Sequence, residues 1–238
     1  MARNEAKNIA RCINSVHRLG KVIIADTGSS DSTKDIAASL GAEVHSIEFD
    51  GFGKSKQRAC SFADSEYILN LDADEMLTPK LCREIKTGIE RESGNSIFAL
   101  PRLTNFCGHW VFHSGWYPEY VERLFKRDSA RFSDDVVHES LIHDGDIKRL
   151  SGPLLHYSYP NMKSFLRKMN EYSELGAEKY RKSGGKMAIF KLLINPPVRF
   201  MKKLIVDRGF LDGYIGLWIA VLSALGQFQK YWYVLRRI

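Results

Sequence analysis

The stretch that decides the fold is Lys21 to Thr33, KVIIADTGSSDST. Its first five residues, KVIIA, form a short β-branched apolar run without polar alternation, the pattern of a buried strand. Asp26 and Gly28 then begin a turn, and the following Ser, Asp and Thr residues suit the N-terminus of a helix. On the N-terminal side, Ile9, Ile13, Val16 and Leu19 fall at helical spacing, which predicts an amphipathic helix over Glu5 to Leu19. On the C-terminal side a helix is predicted to about Leu40, where Gly41 stops it. A strand over Glu43 to Phe49, a helix over Lys54 to Ala63 and a strand over Tyr67 to Leu71 follow. Pro79 opens another helix that continues to about Glu92. Strand and helix thus alternate, which predicts an α/β fold with a mostly parallel sheet and flanking helices.

In such sheets ligands sit at the C-terminal ends of strands. Asp26 follows the first predicted strand, and Asp72-Ala73-Asp74-Glu75 follows YILNL, the third. Two carboxylates one residue apart on a turn can reach one hard divalent cation, Mg²⁺ or Mn²⁺, which would also take substrate phosphates. The plainer alternative is a loop of solvated acids. A carboxylate at Asp26 can accept hydrogen bonds from ribose hydroxyls or a base N–H, and Gly28 permits a close approach of ligand to backbone. The same segment also serves as a helix-capping turn, and both roles can hold together.

Beyond residue 95 the alternation stops. Ser96 to Leu103 and Val121 to Lys126 read as strands around an aromatic segment, Phe106 to Tyr120, and Met162 to Tyr180 reads as a helix. The longest uncharged run, Gly213 to Gln229, is shorter than the roughly 20 residues of a spanning helix. It is read as interfacial or packed. The chain carries 35 Lys and Arg against 28 Asp and Glu, a net charge of +7, which favours anionic partners. Cys12, Cys60, Cys82 and Cys107 show neither metal-ligand nor redox spacing and are expected to be thiols in a reducing compartment. The opening residues lack the apolar core of a secretory signal, and no recognised nucleic-acid module accompanies the basic balance.

DTGSSDST after VIIA, followed by LNLDADE, resembles the inverting family 2 glycosyltransferases of GT-A fold. The opening RNEAKNIARCINSV is similar to the Asn-Glu helix start that follows their first strand. Here only Met1, Ala2 and Arg3 precede it, so that strand is expected to be missing. WYPEYVERLFKRDSARFSDDVVHESL and LLHYSYPNMKSFLRKMNEYSELGA resemble the bacterial lipopolysaccharide core β-glucosyltransferases.

The resemblance implies a nucleotide-diphosphate sugar donor, a divalent metal, inversion at the anomeric carbon and a saccharide acceptor at the inner face of the bacterial inner membrane. It adds Asn4 and Glu5 to Asp26, Gly28, Ser29 and Asp72 at the nucleotide sugar, and His138 to Asp72 and Asp74 at the metal. Arg123, in a strand-like run, has a donor fork suited to a diphosphate, or lies on a solvated edge. An inverting transfer also needs a general base. The candidates are Asp134, Asp135 and Glu139; the resemblance favours Glu139, with Asp135 in reserve. Trp116, Tyr117 and Tyr120 offer aromatic faces to a sugar, or serve as ordinary core. His156 is a further candidate neighbour of the site. Residues 1–160 are expected to form the catalytic domain and 161–238 a helical extension. Its mixture of Arg199, Lys202, Lys203, Arg208, Lys230, Arg236 and Arg237 with aromatic residues suits an anionic membrane surface. Two other readings stay open: a sugar-phosphate nucleotidyltransferase, and a non-catalytic relic or binding protein.

Overall fold

The computed structural model describes residues 1–133, 140–183 and 187–236. The chain opens with α1 (Ile9–Val16), β1 (Ile23–Asp26), α2 (Thr33–Ser39), β2 (Glu43–Ser46), α3 (Phe52–Ser61), β3 (Tyr67–Leu69), β4 (Glu75–Leu77) and α4 (Pro79–Glu90). The predicted alternation is present, with shorter elements. Helix α1 begins only at Ile9 because the residues before it are tied elsewhere. Asn4 takes a positive φ of 56° and donates its N–H to Ser29 Oγ, and Glu5 donates its N–H to Thr33 Oγ1. Helix α4 starts where Thr78 accepts the Leu81 N–H and Pro79 occupies the first turn.

Strands β1 and β2 pair in parallel, joined through α2. Ala2 forms a parallel bridge to Asp26, donating its N–H to the Ala25 carbonyl at 2.9 Å and accepting the Thr27 N–H at 3.0 Å. The position beside β1, expected to be missing, is therefore held by Ala2. Ile9, Ile13, Ile24, Ala37 and Ala73 close a core beneath this sheet.

The chain continues with β5 (Ile97–Phe106), β6 (His109–Trp110), β7 (Glu119–Lys126), β8 (Ala130–Phe132), β9 (Leu141–His143), β10 (Ile147–Arg149) and β11 (Leu154–Tyr159). The larger sheet runs β3-β7-β5-β11-β4, with β6 and β10 also on β5. It departs from the mostly parallel arrangement expected. Strands β3 and β5 each meet β7 antiparallel, β6 meets β5 and β11 meets β4 antiparallel, and β10 joins β5 in parallel. The physical reason is the loss of crossover helices after α4, since a parallel pair needs a long connection and an antiparallel one does not.

The chain divides into two compact units: residues 1–102 with 119–156, and residues 103–118 with 157–238. In the first, Leu81, Ile85, Phe98, Leu100, Leu124 and Leu154 pack α4 against the large sheet. The second contains α5 (Met162–Lys182), α6 (Ala188–Met201) and α7 (Gly213–Arg236). Asn161 and Ser164 form a capping box at the start of α5. Pro196 and Pro197 lie inside α6, where each removes a backbone donor. Ile215, Ile219 and Leu222 of α7 pack with Phe106, Val111 and Phe165. Asp212 pins the aromatic segment by accepting the N–H groups of Phe112 and His113 and the Ser114 hydroxyl.

Helix α7 is longer than the uncharged run that marks it in the sequence. Among the described residues, Gly209–Arg236 is the one helical stretch long and apolar enough to cross a membrane by length and composition, and a third of its apolar window is buried within the protein.

Candidate active site

The first strand end is built around Asp26. Its side chain is 1% exposed. Oδ2 accepts the N–H groups of Gly28 at 3.1 Å and Ser29 at 3.0 Å, so one carboxylate oxygen orders the turn. Oδ1 is buried and has no hydrogen-bond partner. A buried acceptor in that state is costly unless a ligand completes it. Gly28 adopts φ 93°, and a Cβ built there would meet open space. Glycine is thus required by the backbone, and the space over the turn is free. The Asn4 side-chain oxygen accepts from the Ser30 N–H at 2.8 Å, and the Glu5 carboxylate accepts from Asn8 Nδ2 at 2.7 Å. The first ties the start of the chain to this loop, and the second is local to the start of the chain.

The second strand end carries an ion cluster. Asp72 Oδ2 accepts from Arg123 Nη2 at 2.6 Å, and Asp72 Oδ1 lies 3.2 Å from the Lys56 ammonium. The same Arg123 nitrogen donates to Glu75 Oε1 at 2.7 Å, and Glu75 Oε2 accepts the Asp72 N–H at 3.0 Å. Arg102 stands 3.7 Å from Glu75 and pairs with Glu119 at 2.8 Å. Lys56, Glu75 and Arg123 are all buried. Burial alone would raise the Asp72 carboxyl, but the cations of Arg123 and Lys56 outweigh it and hold that carboxyl well below the usual range.

Asp74 is placed differently. Its Oδ2 lies 3.3 Å from His156 Nε2 on β11, and the other ring nitrogen of His156 is buried without a hydrogen-bond partner. His156 therefore does approach the motif. Among the described residues no set of three His, Cys, Asp or Glu side chains converges as a metal cage. One carboxylate and one imidazole do converge. Mg²⁺ and Mn²⁺ are commonly held by one or two carboxylates, with water and substrate phosphate filling the remaining positions. A carboxylate and an imidazole are donor types that fit a divalent cation bound together with a diphosphate.

Among the other expected residues, Arg123 is committed to Asp72 and Glu75. Asp134, Asp135, His138 and Glu139 lie outside the described residues. Trp116 and Tyr117 belong to the second unit, where Trp116 is half-buried against Phe106, Tyr159 and Phe165. Tyr120, in the first unit, is exposed, with the Arg149 guanidinium 4.8 Å from its ring centre. All four cysteines are free thiols, and burial pushes Cys12 up to about 12 and Cys60 to about 11. Sequence reasoning missed Lys56 and Glu75. Glu75 had a signal, as the last acid of the Asp-Ala-Asp-Glu run; a lysine inside a basic helix, such as Lys56, has none.

Comparison with known proteins fits this geometry. The family model described as glycosyl transferase family 2 matches residues 1–173. The chain belongs to glycosyl transferase family 2. It is 29% identical over 242 residues to an uncharacterized glycosyltransferase of Rickettsia prowazekii, covering 97% of this chain and 83% of that protein. It is 27% identical over 248 residues to the lipopolysaccharide core biosynthesis glycosyltransferase LpsC of Rhizobium meliloti, covering 96% and 90%. Among solved structures, TarS residues 1–349 of S. aureus overlays 99% of this chain and 89% of its own, with 13% identity and a TM-score of 0.47. As a member of this family the chain is a glycosyltransferase, the first of the three readings that the sequence left open.

Proposed function

We propose that this family 2 glycosyltransferase is a metal-dependent inverting enzyme that builds a lipopolysaccharide core or a related cell-envelope glycan. It takes a sugar from a nucleotide-diphosphate donor and passes it to a lipid-linked saccharide at the inner face of the inner membrane. The observation that carries the reading is the split at the β3–β4 turn. Asp72 is locked by Arg123 and Lys56, while Asp74 Oδ2 faces His156 Nε2 at 3.3 Å. Asp26 contributes its unpartnered oxygen to the base or ribose of the donor. Arg123 and Glu75 position Asp72 and the turn behind it. The catalytic role falls to residues 1–160, and 161–238 form the membrane-associating extension. The relationship to LpsC supports the acceptor class.

Bound Mg²⁺ or Mn²⁺ would supply charge neutralisation for the departing diphosphate. Asp74 and His156 would hold it, while Lys56 and Arg123 keep the adjoining carboxylate ionised. In the transfer, the acceptor hydroxyl oxygen bonds to the anomeric carbon as the bond from that carbon to the diphosphate oxygen breaks. The diphosphate leaves with the electron pair, and the hydroxyl proton passes to Glu139, with Asp135 as the alternative. Trp116 and Tyr117 are assigned to the acceptor.

The membrane role draws on the second unit. Ile189, Phe190, Leu193, Val198, Val206 and Trp218 each expose about half or more of their surface, among the basic residues of the same helices. That composition suits an interfacial anchor.

The test measures nucleoside-diphosphate release from a panel of nucleotide sugars with Mn²⁺, Mg²⁺ or chelator, alongside calorimetry of donor binding. Asp74→Ala should abolish metal-dependent binding in a folded protein. Unchanged binding removes the metal assignment, and release indifferent to chelator removes metal dependence altogether. Glu139→Gln should leave donor binding intact and lower turnover by about 10²-fold or more; near-normal turnover moves the base to Asp135.

A further inference from the structure

The helical unit holds a second cluster of charge that the transfer chemistry does not use. A cavity of about 240 Å³ opens among α5, α6 and α7, with Lys168, Arg199 and Lys230 in its lining. The hydroxyls of Ser173 and Ser223 line it too, and no carboxylate does. Ser173 donates to the Gly226 carbonyl at 3.2 Å. A Cβ at Gly226 would sit 3.3 Å from Met169, so α5 and α7 close tightly at this point.

Two of the three cations are held by neutral groups. The Lys168 ammonium lies 3.4 Å from both the Ser158 carbonyl and its hydroxyl, and 5.1 Å from the centre of the Tyr159 ring. The Lys230 ammonium lies over the rings of Tyr180 and Tyr231, at 5.8 and 5.3 Å. Arg199 Nε is buried and has no hydrogen-bond partner. On α5, Glu171 faces Arg167 at 3.9 Å, Glu178 faces Lys182 at 2.8 Å, and Glu174 lies outside the lining of this cavity. Among the described residues, none of the three cavity cations forms an ion pair.

Three uncompensated cations, an unpartnered guanidinium N–H and two hydroxyls in one recess describe a receptor for a compact dianion with several acceptor oxygens. Arginine's fork suits phosphate geometry, and such bonds are charge-assisted. The walls also carry Phe165, Met169 and Leu222, so the group bound here has an apolar or amphiphilic neighbour. We propose that this cavity binds the phosphate monoester of an amphiphile, separately from the donor site. The phosphate comes from a bilayer phospholipid or from a phosphorylated lipid-linked glycan. Only the second source rests on the acceptor class proposed above.

The experiment uses the whole protein and vesicles of phosphatidylcholine containing either phosphatidic acid or oleate at matched charge. Binding is followed by flotation, with inorganic phosphate as competitor. Lys168→Gln/Arg199→Gln/Lys230→Gln should lower affinity for phosphatidic acid vesicles about tenfold or more. Lys163→Gln/Arg167→Gln/Lys179→Gln, with the same charge removed on α5 outside the cavity, should lower it far less. Arg199→Lys keeps the charge and loses the fork; it should show an intermediate loss even if the triple variant unfolds. Calorimetry with a soluble hexose 6-phosphate separates the sources: heat of binding that the cavity variants abolish points to the glycan, and binding seen only with vesicles points to the phospholipid. Equal losses in the two triple variants, or equal binding to oleate vesicles with no competition by phosphate, overturn the proposal. Neither result bears on donor hydrolysis, which tests the transferase reading independently.

Discussion

Glu75→Gln is the sharpest probe of how the turn after β3 is held. Glu75 is 1% exposed and serves two donors at once: Arg123 through Oε1, and the Asp72 N–H through Oε2. Glutamine has the same shape but one acceptor and one donor. Either orientation sets its NH₂ group against a buried donor, Arg123 or the Asp72 amide. Breaking one side of a buried ion pair costs about 3–5 kcal/mol, and an unsatisfied buried group about 1–3. Arg123 keeps Asp72 at 2.6 Å and the amide oxygen keeps one bond, which offsets part of the loss. The expected net destabilisation is about 3 kcal/mol, or roughly 6–12 °C in Tm for a chain of this length. Urea unfolding and thermal melting monitored by circular dichroism measure it. Arg123→Met should cost a similar amount. The double variant Glu75→Leu/Arg123→Met should cost less than the sum of Glu75→Leu and Arg123→Met, because neither buried charge is then left alone. Donor affinity should fall in Glu75→Gln, because the Asp72 amide has lost its tether. A Tm within about 2 °C of the parent, together with additive costs in the double variant, refutes the claim that Glu75 and Arg123 hold the turn as a pair.

Asp26→Asn keeps an acceptor for the Gly28 and Ser29 amides but turns the free oxygen into a donor. It should lower donor affinity by about tenfold or more, with little change in Tm, as read by calorimetry and melting. Glu92 is held at about 2, first by the Lys148 ammonium at 2.6 Å and also by the Gly94 N–H, against the opposing pull of burial. Its folded value lies below the unfolded value of about 4.3, so its stabilisation is complete above that pH and is lost as pH falls toward 2. Glu92→Gln should therefore flatten the acid limb of a stability profile between about pH 5 and 2 while leaving the neutral-to-basic side parallel to the parent. Phe190→Glu/Leu193→Glu, on the exposed face of α6, should cut partition onto anionic vesicles without lowering Tm. Unchanged co-sedimentation would place the anchor elsewhere.

What the sequence revealed, and what it hid, follows from element length. KVIIA and YILNL read correctly as strands because each is a continuous apolar run with a turn signal after it. Strands β4 and β8 to β10 are three residues each, too short for a period of two to show. The mixed character of the large sheet was hidden for the same reason: strand direction depends on connections between elements that the sequence barely marks. The placement of Asp26 at the end of β1 and of Asp72 and Asp74 between β3 and β4 was legible because each follows an apolar run. The roles of the partners were not legible. Arg123 looked like a diphosphate ligand, yet alternation along β7 turns it inward onto Asp72 and Glu75. Lys56 sits in GKSKQR, where nothing separates a buried ammonium from a solvated one.

The two aspartates of the motif are unequal, and the inequality follows from where their cations stand. Arg123 and Lys56 occupy both oxygens of Asp72, so this carboxylate stays ionised and immobile. A divalent ion approaching it would meet two positive charges within a few ångströms, and at short range like charges repel strongly outside bulk water. Asp74 lies two residues on, across Ala73, and its neighbour is an imidazole with capacity to bind. On the proposed reading the cation goes to Asp74 and His156 rather than to Asp72, and the buried ion cluster holds the turn that carries them. In the same way Asp26 uses one oxygen to order its turn and leaves the other open. Each strand end joins an internally satisfied carboxylate oxygen, which sets position, to an unsatisfied group, which is left for ligand. Position and reactivity are separated, so the site can be rigid before the donor arrives.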